Sequence, residues 1–267
     1  MIKRILYAIP ALIILFSVVY IHGVYSQIVV AAIAVFCMYE ILRALSVIAQ
    51  PVYAVGYAYA ALIYPVFAYA GGFTGIALLL AAAVMILITL PMLTGRNVKD
   101  SVITALALFY PGLFFVFMFS FMIAPSENNS RFLIIIAFGV AVVTDTFAYL
   151  TGRFFGKRKL MPAVSPKKTV EGAIGGLVFG AGFVTAAGIF LQSKFDVNIF
   201  PLWYVALGIV LGVLTQIGDL TASYIKRRLC IKDFGHIMGE HGGALDRLDS
   251  VLFICPVIYA FYLLIAV

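Results

Sequence analysis

Long uninterrupted apolar runs constrain the fold of this chain more than any other feature of its sequence. The run from Gly72 to Leu93 contains no charged residue. A bilayer core needs about 20 apolar residues per helix, and backbone polar groups in lipid must be satisfied within the segment, which favours helices. A membrane barrel would show short alternating strands instead. The sequence therefore predicts an all-α integral membrane protein.

The composition agrees with this prediction. Hydrophobic residues make up 64% of the 267 residues and charged residues 11%, whereas a soluble domain is about half apolar and about a quarter charged. The three cysteines, Cys37, Cys230 and Cys255, show no CxxC pairing. We therefore expect neither a zinc site nor a disulfide framework.

The apolar runs predict a polytopic bundle of about nine transmembrane helices in a single integral membrane domain, 1–267. Their approximate limits are 5–21, 28–49, 52–70, 73–93, 102–124, 132–150, 173–193, 201–222 and 250–267. The first run is long for a signal peptide, and more spans follow at once, so we expect a retained first helix. We assign packing and lipid contact to residues 1–101 and catalysis to residues 102–267.

The basic residues predict the orientation of these helices. With the N-terminus in the cytoplasm, 16 of the 18 lysines and arginines fall on the inner side, and only Arg131 and Lys194 fall outside. This asymmetry follows the positive-inside rule. It places the C-terminus outside and the polar loops 151–172 and 223–249 on the cytoplasmic side of the plasma membrane.

Small residues recur at helical spacing in the seventh and eighth runs. Gly172, Gly176 and Gly180 are four residues apart, as are Gly208 and Gly212. Such spacing lets helices approach closely. We expect these glycines to pack helices together, within one protomer or across a dimer.

Carboxylates at membrane depth are the first functional signal. Asp145 and Asp219 lie within or at the end of apolar runs, with no cation one turn away. An ionisable residue there is costly unless it faces a cavity or a partner, so its default interpretation is functional. Glu40 is different, because Arg43 lies one turn later and could pair with it. We interpret Glu40 as structural.

One face of the eighth run carries a polar stripe. Asp219, Ser223 and Lys226 fall at positions i, i+4 and i+7 of a helix, and therefore on one side of it. An ordinary helix end with cations near its C-terminus would account for Lys226, Arg227 and Arg228. It would not account for Asp219.

A second cluster follows at His241–Asp249. Asp246 and Asp249 would repel each other at helical spacing, unless Asp246 caps the last helix or Arg247 screens the pair. Alternatively, the carboxylates gather around Mg²⁺, which takes oxygen ligands together with substrate phosphates. His241 could act as a general base, a donor to phosphate or a hydrogen-bonding loop residue.

The other polar loop contains Ser165-Pro166-Lys167-Lys168-Thr169. Proline predicts a stiff turn that brings two lysines and two hydroxyls to the start of the seventh helix, and helix N-termini favour phosphate. The spacing is not that of a Walker loop. The preceding run, Lys157–Lys159, is better suited to anionic lipid headgroups.

These residues resemble the CDP-diacylglycerol synthase, or phosphatidate cytidylyltransferase, family. Its signature runs here from Ser223 to Asp249: Ser223-x-Ile225-Lys226-Arg227-x₄-Lys232-Asp233-x-Gly235-x₃-Gly239-x-His241-Gly242-Gly243-x₂-Asp246-Arg247-x-Asp249. The segment from Asp145 to Glu171 is similar to a second motif of the family. The N-terminal half resembles the family only in hydropathy.

The resemblance implies a membrane enzyme that joins CTP to phosphatidic acid, giving CDP-diacylglycerol and pyrophosphate in phospholipid biosynthesis. It implies Mg²⁺ held by Asp219 and Asp246, a monovalent cation such as K⁺ as a further candidate, and a homodimer among membrane lipids. We expect no nucleic-acid partner. The expected catalytic residues are Asp219, Asp246, Ser223, Lys226, Asp249 and Asp145. Those expected to bind CTP or phosphatidate phosphates are Lys167, Lys168, Thr169, Arg227, Lys232, His241 and Arg247.

Two alternatives remain at this point. A CTP-dependent polyprenol kinase, or a related lipid kinase, would share the nucleotide and the metal but would transfer the γ-phosphate. A cation or anion transporter would also place acids in the membrane, although it should show paired, interrupted helices.

Overall fold

The structure is a computed structural model that describes residues 13, 16–21, 23–123, 127–192, 200–237 and 242–265. Nearly all regular structure in these residues is helical, which confirms an all-α polytopic protein. The helices are α1 (Val24–Leu45), α2 (Tyr53–Tyr69), α3 (Gly72–Thr94), α4 (Val98–Ala107), α5 (Phe114–Met122), α6 (Glu127–Phe155), α7 (Val170–Gln192), α8 (Pro201–Arg228) and α9 (Leu245–Ile265). A π-helical turn, Leu108–Leu113, joins α4 to α5.

Seven helical stretches in the described part of the chain are long and apolar enough to cross a membrane. One of them is Val98–Met122, in which α4, the π-helical turn and α5 form one span. Helix α2 has 17 residues, and most of the predicted first segment, 5–21, lies outside the described residues. The count of nine helices and the sides of the two termini therefore stay predictions.

Several predicted helix limits need correction. Helix α6 is longer than predicted at both ends, since it covers Glu127–Phe155 and not 132–150. Helix α4 begins at Val98, where the Asn97 side chain accepts a hydrogen bond from the Lys99 amide at 2.9 Å. Helix α8 continues past residue 222 to Arg228. Helix α9 begins at Leu245 rather than 250, so Asp246 and Asp249 lie on a helix and not in the predicted loop 223–249.

The predicted loop 151–172 is mostly regular structure. Helix α6 runs on to Phe155, and strands β1 (Lys159–Met161) and β2 (Ser165–Thr169) then pair antiparallel before α7 begins at Val170. The prediction of a stiff Ser-Pro turn was therefore wrong, because Ser165–Thr169 is a strand. Pro166 fits there because this two-stranded ribbon leaves one side of β2 without a strand partner.

The chain forms two compact units, one of residues 1–123 with 229–247 and one of residues 124–228 with 248–267. The predicted division of labour between residues 1–101 and 102–267 stays a prediction.

The first unit has a core of apolar side chains from α1, α2, α4 and α5. Met38 and Leu42 of α1, Ile63 of α2 and Phe115 of α5 are fully buried. The link between α1 and α2 is tied to α4 by side chains, because the Asp100 carboxylate accepts from the Gln50 amide at 2.9 Å. Helix α3, by contrast, buries little of its surface, as expected for a helix in contact with lipid.

The second unit depends on glycine for the close packing of α6, α7 and α8. A Cβ atom on Gly176 would lie 2.8 Å from the Thr144 carbonyl oxygen of α6, and one on Gly208 would lie 2.8 Å from Ala181 of α7. No side chain fits at either place without moving a backbone. The prediction that these glycines pack helices is confirmed within one protomer.

Candidate active site

A cavity of about 290 Å³ lies within the second unit, where α6, β2, α7 and α8 meet. Two carboxylates and three cations line it. The carboxylates are Asp145 of α6 and Asp219 of α8, and the cations are Arg153 of α6 with Lys167 and Lys168 of β2. The two acids predicted at membrane depth thus share one cavity with the predicted lysine pair.

Lys168 and Asp219 form an ion pair in this cavity. Both side chains are about a quarter to a third exposed, at 26% and 30%, so the pair is accessible from the cavity. Lys168 also interacts electrostatically with Asp145. The cation that the sequence does not offer near Asp219 is supplied by the hairpin, about fifty positions earlier in the chain.

The charged cluster extends to two further predicted residues of the second unit. Asp249 is buried and interacts electrostatically with Asp219, Lys226 and Asp145. Lys226 is also buried, at 9% exposure. Asp219, Ser223 and Lys226 lie along a continuous α8, as the stripe predicted, whereas Arg227 is exposed.

Thr169 is the residue before α7 and acts as its cap. Its hydroxyl oxygen accepts a hydrogen bond from the Gly172 amide at 3.1 Å, which satisfies one of the amides left unpaired at a helix start. The hydroxyl is therefore engaged in the fold, although Thr169 lines the cavity. Its predicted contact with substrate phosphate stays a prediction.

Glu171 fixes the hairpin against the start of α7. Its carboxylate accepts hydrogen bonds from the backbone amides of Lys157 at 3.0 Å and Arg158 at 3.2 Å. The Val170 amide donates to the Arg158 carbonyl at 2.9 Å. These bonds hold β2, and with it Lys167 and Lys168, in a defined position beside the cavity.

Two predicted substrate-binding residues of the first unit, Lys232 and Arg247, are exposed. His241 lies outside the described residues. Asp246, the second predicted metal ligand, accepts hydrogen bonds on its Oδ2 atom from the amides of Phe234 and Gly243, each at 2.9 Å. One oxygen of this carboxylate is therefore held by the backbone of the loop that precedes α9.

Glu40 also contacts this loop, contrary to the interpretation that it pairs with Arg43. Its Oε1 atom accepts from the Ala244 amide at 3.0 Å and its Oε2 atom from the Leu245 amide at 2.8 Å. Arg43 instead donates to the Tyr39 hydroxyl at 3.4 Å. Glu40 has a structural partner, but that partner is the start of α9.

The donor chemistry of this protein fits Mg²⁺. Carboxylate oxygens are the ligands that Mg²⁺ takes, with waters and substrate phosphates completing its shell. Among the residues that the structure describes, no group of three or more His, Cys, Asp or Glu side chains is disposed to hold a metal ion.

Three polar residues that line the cavity were not among the predicted site residues, namely Tyr149, Arg153 and Gln216. A signal was available for the first two, because they follow Asp145 at i+4 and i+8 on α6. Gln216 gave no such signal. Its side-chain nitrogen donates to the Ala173 carbonyl of α7 at 3.1 Å, a contact that needs the tertiary fold.

The sequence of this chain is similar to proteins of a known family. Residues 2–265 match a family model described as the cytidylyltransferase family. A phosphatidate cytidylyltransferase of Aquifex aeolicus is 41% identical over 153 residues, which are 57% of this chain and 53% of that protein.

Two staphylococcal proteins of the same name are similar at comparable identity. The protein of Staphylococcus haemolyticus is 36% identical and that of Staphylococcus aureus strain COL is 38% identical, each over 159 residues. Each match covers 60% of this chain and 58% of the relative. The chain thus spans little more than half the length of the relatives it matches.

Proposed function

This chain belongs to the cytidylyltransferase family, and on that premise we propose that it transfers the cytidylyl group of CTP to phosphatidic acid. The products are CDP-diacylglycerol and pyrophosphate, and the role is in phospholipid biosynthesis. The enzyme class that we propose is that of nucleotidyltransferases, to which the name phosphatidate cytidylyltransferase of its relatives corresponds.

One observation carries the proposal, namely the mixture of charges in the cavity of the second unit. Asp145 and Asp219 lie there with Arg153, Lys167 and Lys168. Cations suit a phosphate-rich substrate, and carboxylates within a basic site suit a metal ion that bridges phosphates. An apolar or purely basic cavity would not fit a metal-bound triphosphate.

The proposed reaction is an in-line displacement at phosphorus. A phosphate oxygen of phosphatidic acid attacks the α-phosphorus of CTP, an oxygen–phosphorus bond forms, and the bond from the α-phosphorus to the β-phosphate oxygen breaks. Because the attacking phosphate is already an anion at neutral pH, the step needs no strong base. Positioning and charge stabilisation are the main tasks of the protein.

Lys167 and Lys168 carry the largest part of this charge stabilisation in our proposal, since β2 delivers both to the cavity. Arg153 adds a third positive charge from α6. Asp145 and Asp249 keep the surrounding cations in place through their electrostatic interactions with Lys168 and Lys226.

We propose Mg²⁺ as the cofactor, with Asp219 and Asp246 as its protein ligands. When bound, the ion neutralises phosphate charge and withdraws electrons from the α-phosphate. The resemblance of the signature Ser223–Asp249 supports this ligand pair. A second, monovalent cation such as K⁺ and a homodimeric state are proposals on the same ground.

The proposed location is the cytoplasmic membrane, with the site facing the cytoplasm. The seven apolar helical stretches of the described residues make the chain a multi-pass membrane protein. We place the site on the cytoplasmic side of the membrane because lysine and arginine are in excess in the loops assigned to that side. CTP then enters from the cytoplasm, and phosphatidic acid enters laterally from the bilayer.

The decisive experiment gives the purified protein CTP labelled at the α-phosphate together with phosphatidic acid. We expect all of the transferred label in CDP-diacylglycerol, together with an equimolar amount of unlabelled pyrophosphate. A lipid kinase would leave the α-label in CDP, and this outcome would overturn the proposal. A transporter would give neither product but would move ions across proteoliposomes.

A further inference from the structure

Glu40 is a buried carboxylate in the C-terminal part of the apolar helix α1, and its position needs an explanation. The residue is 1% exposed, and its two oxygens accept from two successive amides, Ala244 and Leu245. These amides lie at the start of α9, where a helix leaves its first N–H groups without internal partners. A carboxylate there is also favoured by the helix dipole.

Two glycines make room for this carboxylate. A Cβ atom built on Gly243 would lie within 2.5 Å of the Glu40 carboxylate carbon and of its Oε2 atom, and one on Gly235 would lie 2.6 Å from the same carbon. Real Cβ atoms do not approach that closely. The absence of a side chain at Gly235 and at Gly243 therefore leaves the space that the Glu40 carboxylate occupies.

Asp246 is the second residue of the helix that Glu40 caps. Its Oδ2 atom accepts from the amides of Phe234 and Gly243, while Glu40 accepts from the next two amides, Ala244 and Leu245. Of three successive backbone amides, the first therefore donates to Asp246 and the next two donate to Glu40. The direction of the Asp246 side chain depends on the backbone that Glu40 holds.

We propose that Glu40 is a positioning residue for Asp246: it fixes the first turn of α9 and so sets Asp246 for binding the metal–nucleotide complex. This inference rests on the proposed function, in which Asp246 is a metal ligand. It assigns a role in positioning to a residue of the N-terminal half, outside the signature Ser223–Asp249.

The carboxylate form is what the geometry requires. A glutamine at position 40 keeps the size of the side chain and one acceptor oxygen, but its amide nitrogen would face one of the two backbone N–H donors. One of the two hydrogen bonds is then lost, and the first turn of α9 loosens. Glu40→Gln therefore tests the position of Asp246 without a change in side-chain volume.

The test measures binding rather than turnover. Labelled α,β-methylene-CTP, which cannot be cleaved at the transferred bond, is bound to the purified full chain while Mg²⁺ is varied. We expect the half-saturating Mg²⁺ concentration to rise about tenfold or more in Glu40→Gln and in Gly243→Ala. Hydrogen exchange of the amides at 243–246 should become faster in both variants, while exchange in α6 and α7 stays unchanged.

Two further variants distinguish a failure of this inference from a failure of the proposed function. Glu127→Gln removes an exposed carboxylate paired with Arg131 and should leave Mg²⁺ dependence and exchange at wild-type values. Asp246→Asn reports on the proposed function itself. If Asp246→Asn does not shift the Mg²⁺ dependence, the proposed metal role of Asp246 is wrong, and the inference is overturned with it.

The inference alone fails if Asp246→Asn shifts the Mg²⁺ dependence but Glu40→Gln and Gly243→Ala, both folded, do not. A variant that fails to fold is recognised by faster exchange throughout the chain, and the other variant then decides. Faster exchange at 243–246 with unchanged Mg²⁺ dependence would mean that Glu40 only stabilises α9, which also overturns the inference.

Discussion

At the scale of single residues, Asp219 is the most informative group in the cavity. It interacts with Lys168 directly and with Asp145 and Asp249 electrostatically. Of these three carboxylates, Asp219 is the one that forms the ion pair with Lys168. A change at Asp219 should therefore alter the charge of the whole cluster.

We predict that Asp219→Asn lowers turnover on the order of 10³-fold, because the proposed metal loses a negatively charged ligand. The measurement is CDP-diacylglycerol formation at saturating CTP and phosphatidic acid, with thermal unfolding as the check on folding. Glu127→Gln is the control, since it also removes a carboxylate but lies on the surface of α6. Near-normal turnover in folded Asp219→Asn would refute the assignment.

We predict a severe loss of activity for Lys168→Ala, because this lysine lines the cavity and pairs with Asp219. The loss should be the same in neutral detergent and in anionic vesicles. Lys159→Ala is the matched control, since Lys159 lies on the paired strand β1 but does not line the cavity. It should matter, if at all, only in anionic vesicles.

The alternative for Lys168 is lipid attraction, which is worth about 1 kcal/mol per lysine near a membrane and weakens with salt. Activity that survives Lys168→Ala in neutral detergent but falls in anionic vesicles would support that alternative. The pair of conditions separates a role in the site from a role in membrane attachment.

Residue types predicted the acids and lysines of the cavity, but they did not predict their partners. The cost of a charge in an apolar helix is local information, and it was enough to single out Asp145 and Asp219. Glu40 was assigned to Arg43 because only near neighbours are visible in a sequence. Its actual partners lie 204 and 205 residues away, a distance that no local rule spans.

At the scale of elements, helices were predictable and the hairpin was not. Apolar runs of span length predict where α1, α3 and α6–α9 fall, with limits that differ by up to about six residues from the observed ones. Ser165–Thr169 contains no apolar side chain, so nothing in its pattern predicts a strand. It becomes a strand through pairing with β1 and through the hydrogen bonds that Glu171 makes to Lys157 and Arg158.

Two glycines of α7 provide a matched test of helix packing. We predict that Gly176→Ala destabilises the protein by about 1–3 kcal/mol, as overpacking does, because its Cβ would lie 2.8 Å from a backbone oxygen of α6. Gly182→Ala should be neutral or stabilising, since nothing lies within 4 Å of a Cβ there and alanine favours helix.

Thermal unfolding in detergent measures both variants. If Gly176→Ala and Gly182→Ala behave alike, α6 and α7 do not depend on close approach at Gly176. Activity should follow stability in Gly176→Ala, because Asp145 lies one residue from the Thr144 contact.

At the scale of the whole molecule, we predict that residues 159 and 194 lie on opposite sides of the membrane. Lys159→Cys and Lys194→Cys are each labelled with an impermeant thiol reagent in intact cells. The background is Cys230→Ser, since Cys230 is exposed whereas Cys37 and Cys255 are buried. Residue 194 should react from outside, and residue 159 only after permeabilisation.

Labelling of both positions from one side would contradict the scheme. The scheme depends on the distribution of lysine and arginine and on the number of spans, because the loss of one span would move every later loop to the other side. The orientation therefore stays a prediction from the sequence, whereas the partition into two compact units could not be predicted from it at all. Residues 229–247 pack with helices that precede them by more than a hundred residues, and only tertiary contacts reveal this.

The Lys168 ammonium is the counterion of the Asp219 carboxylate, so the negative charge of this proposed metal ligand is already paired within the cavity. A bare divalent cation that binds Asp219 must break this ion pair and would leave the Lys168 ammonium beside a second positive charge, with its interaction with Asp145 as the remaining attraction, which costs electrostatic energy. A cation that arrives with a triphosphate gives the displaced ammonium a new anion at once. The cavity should therefore bind the complex of the metal ion with the nucleotide. It should bind the metal ion alone, or the nucleotide alone, only weakly.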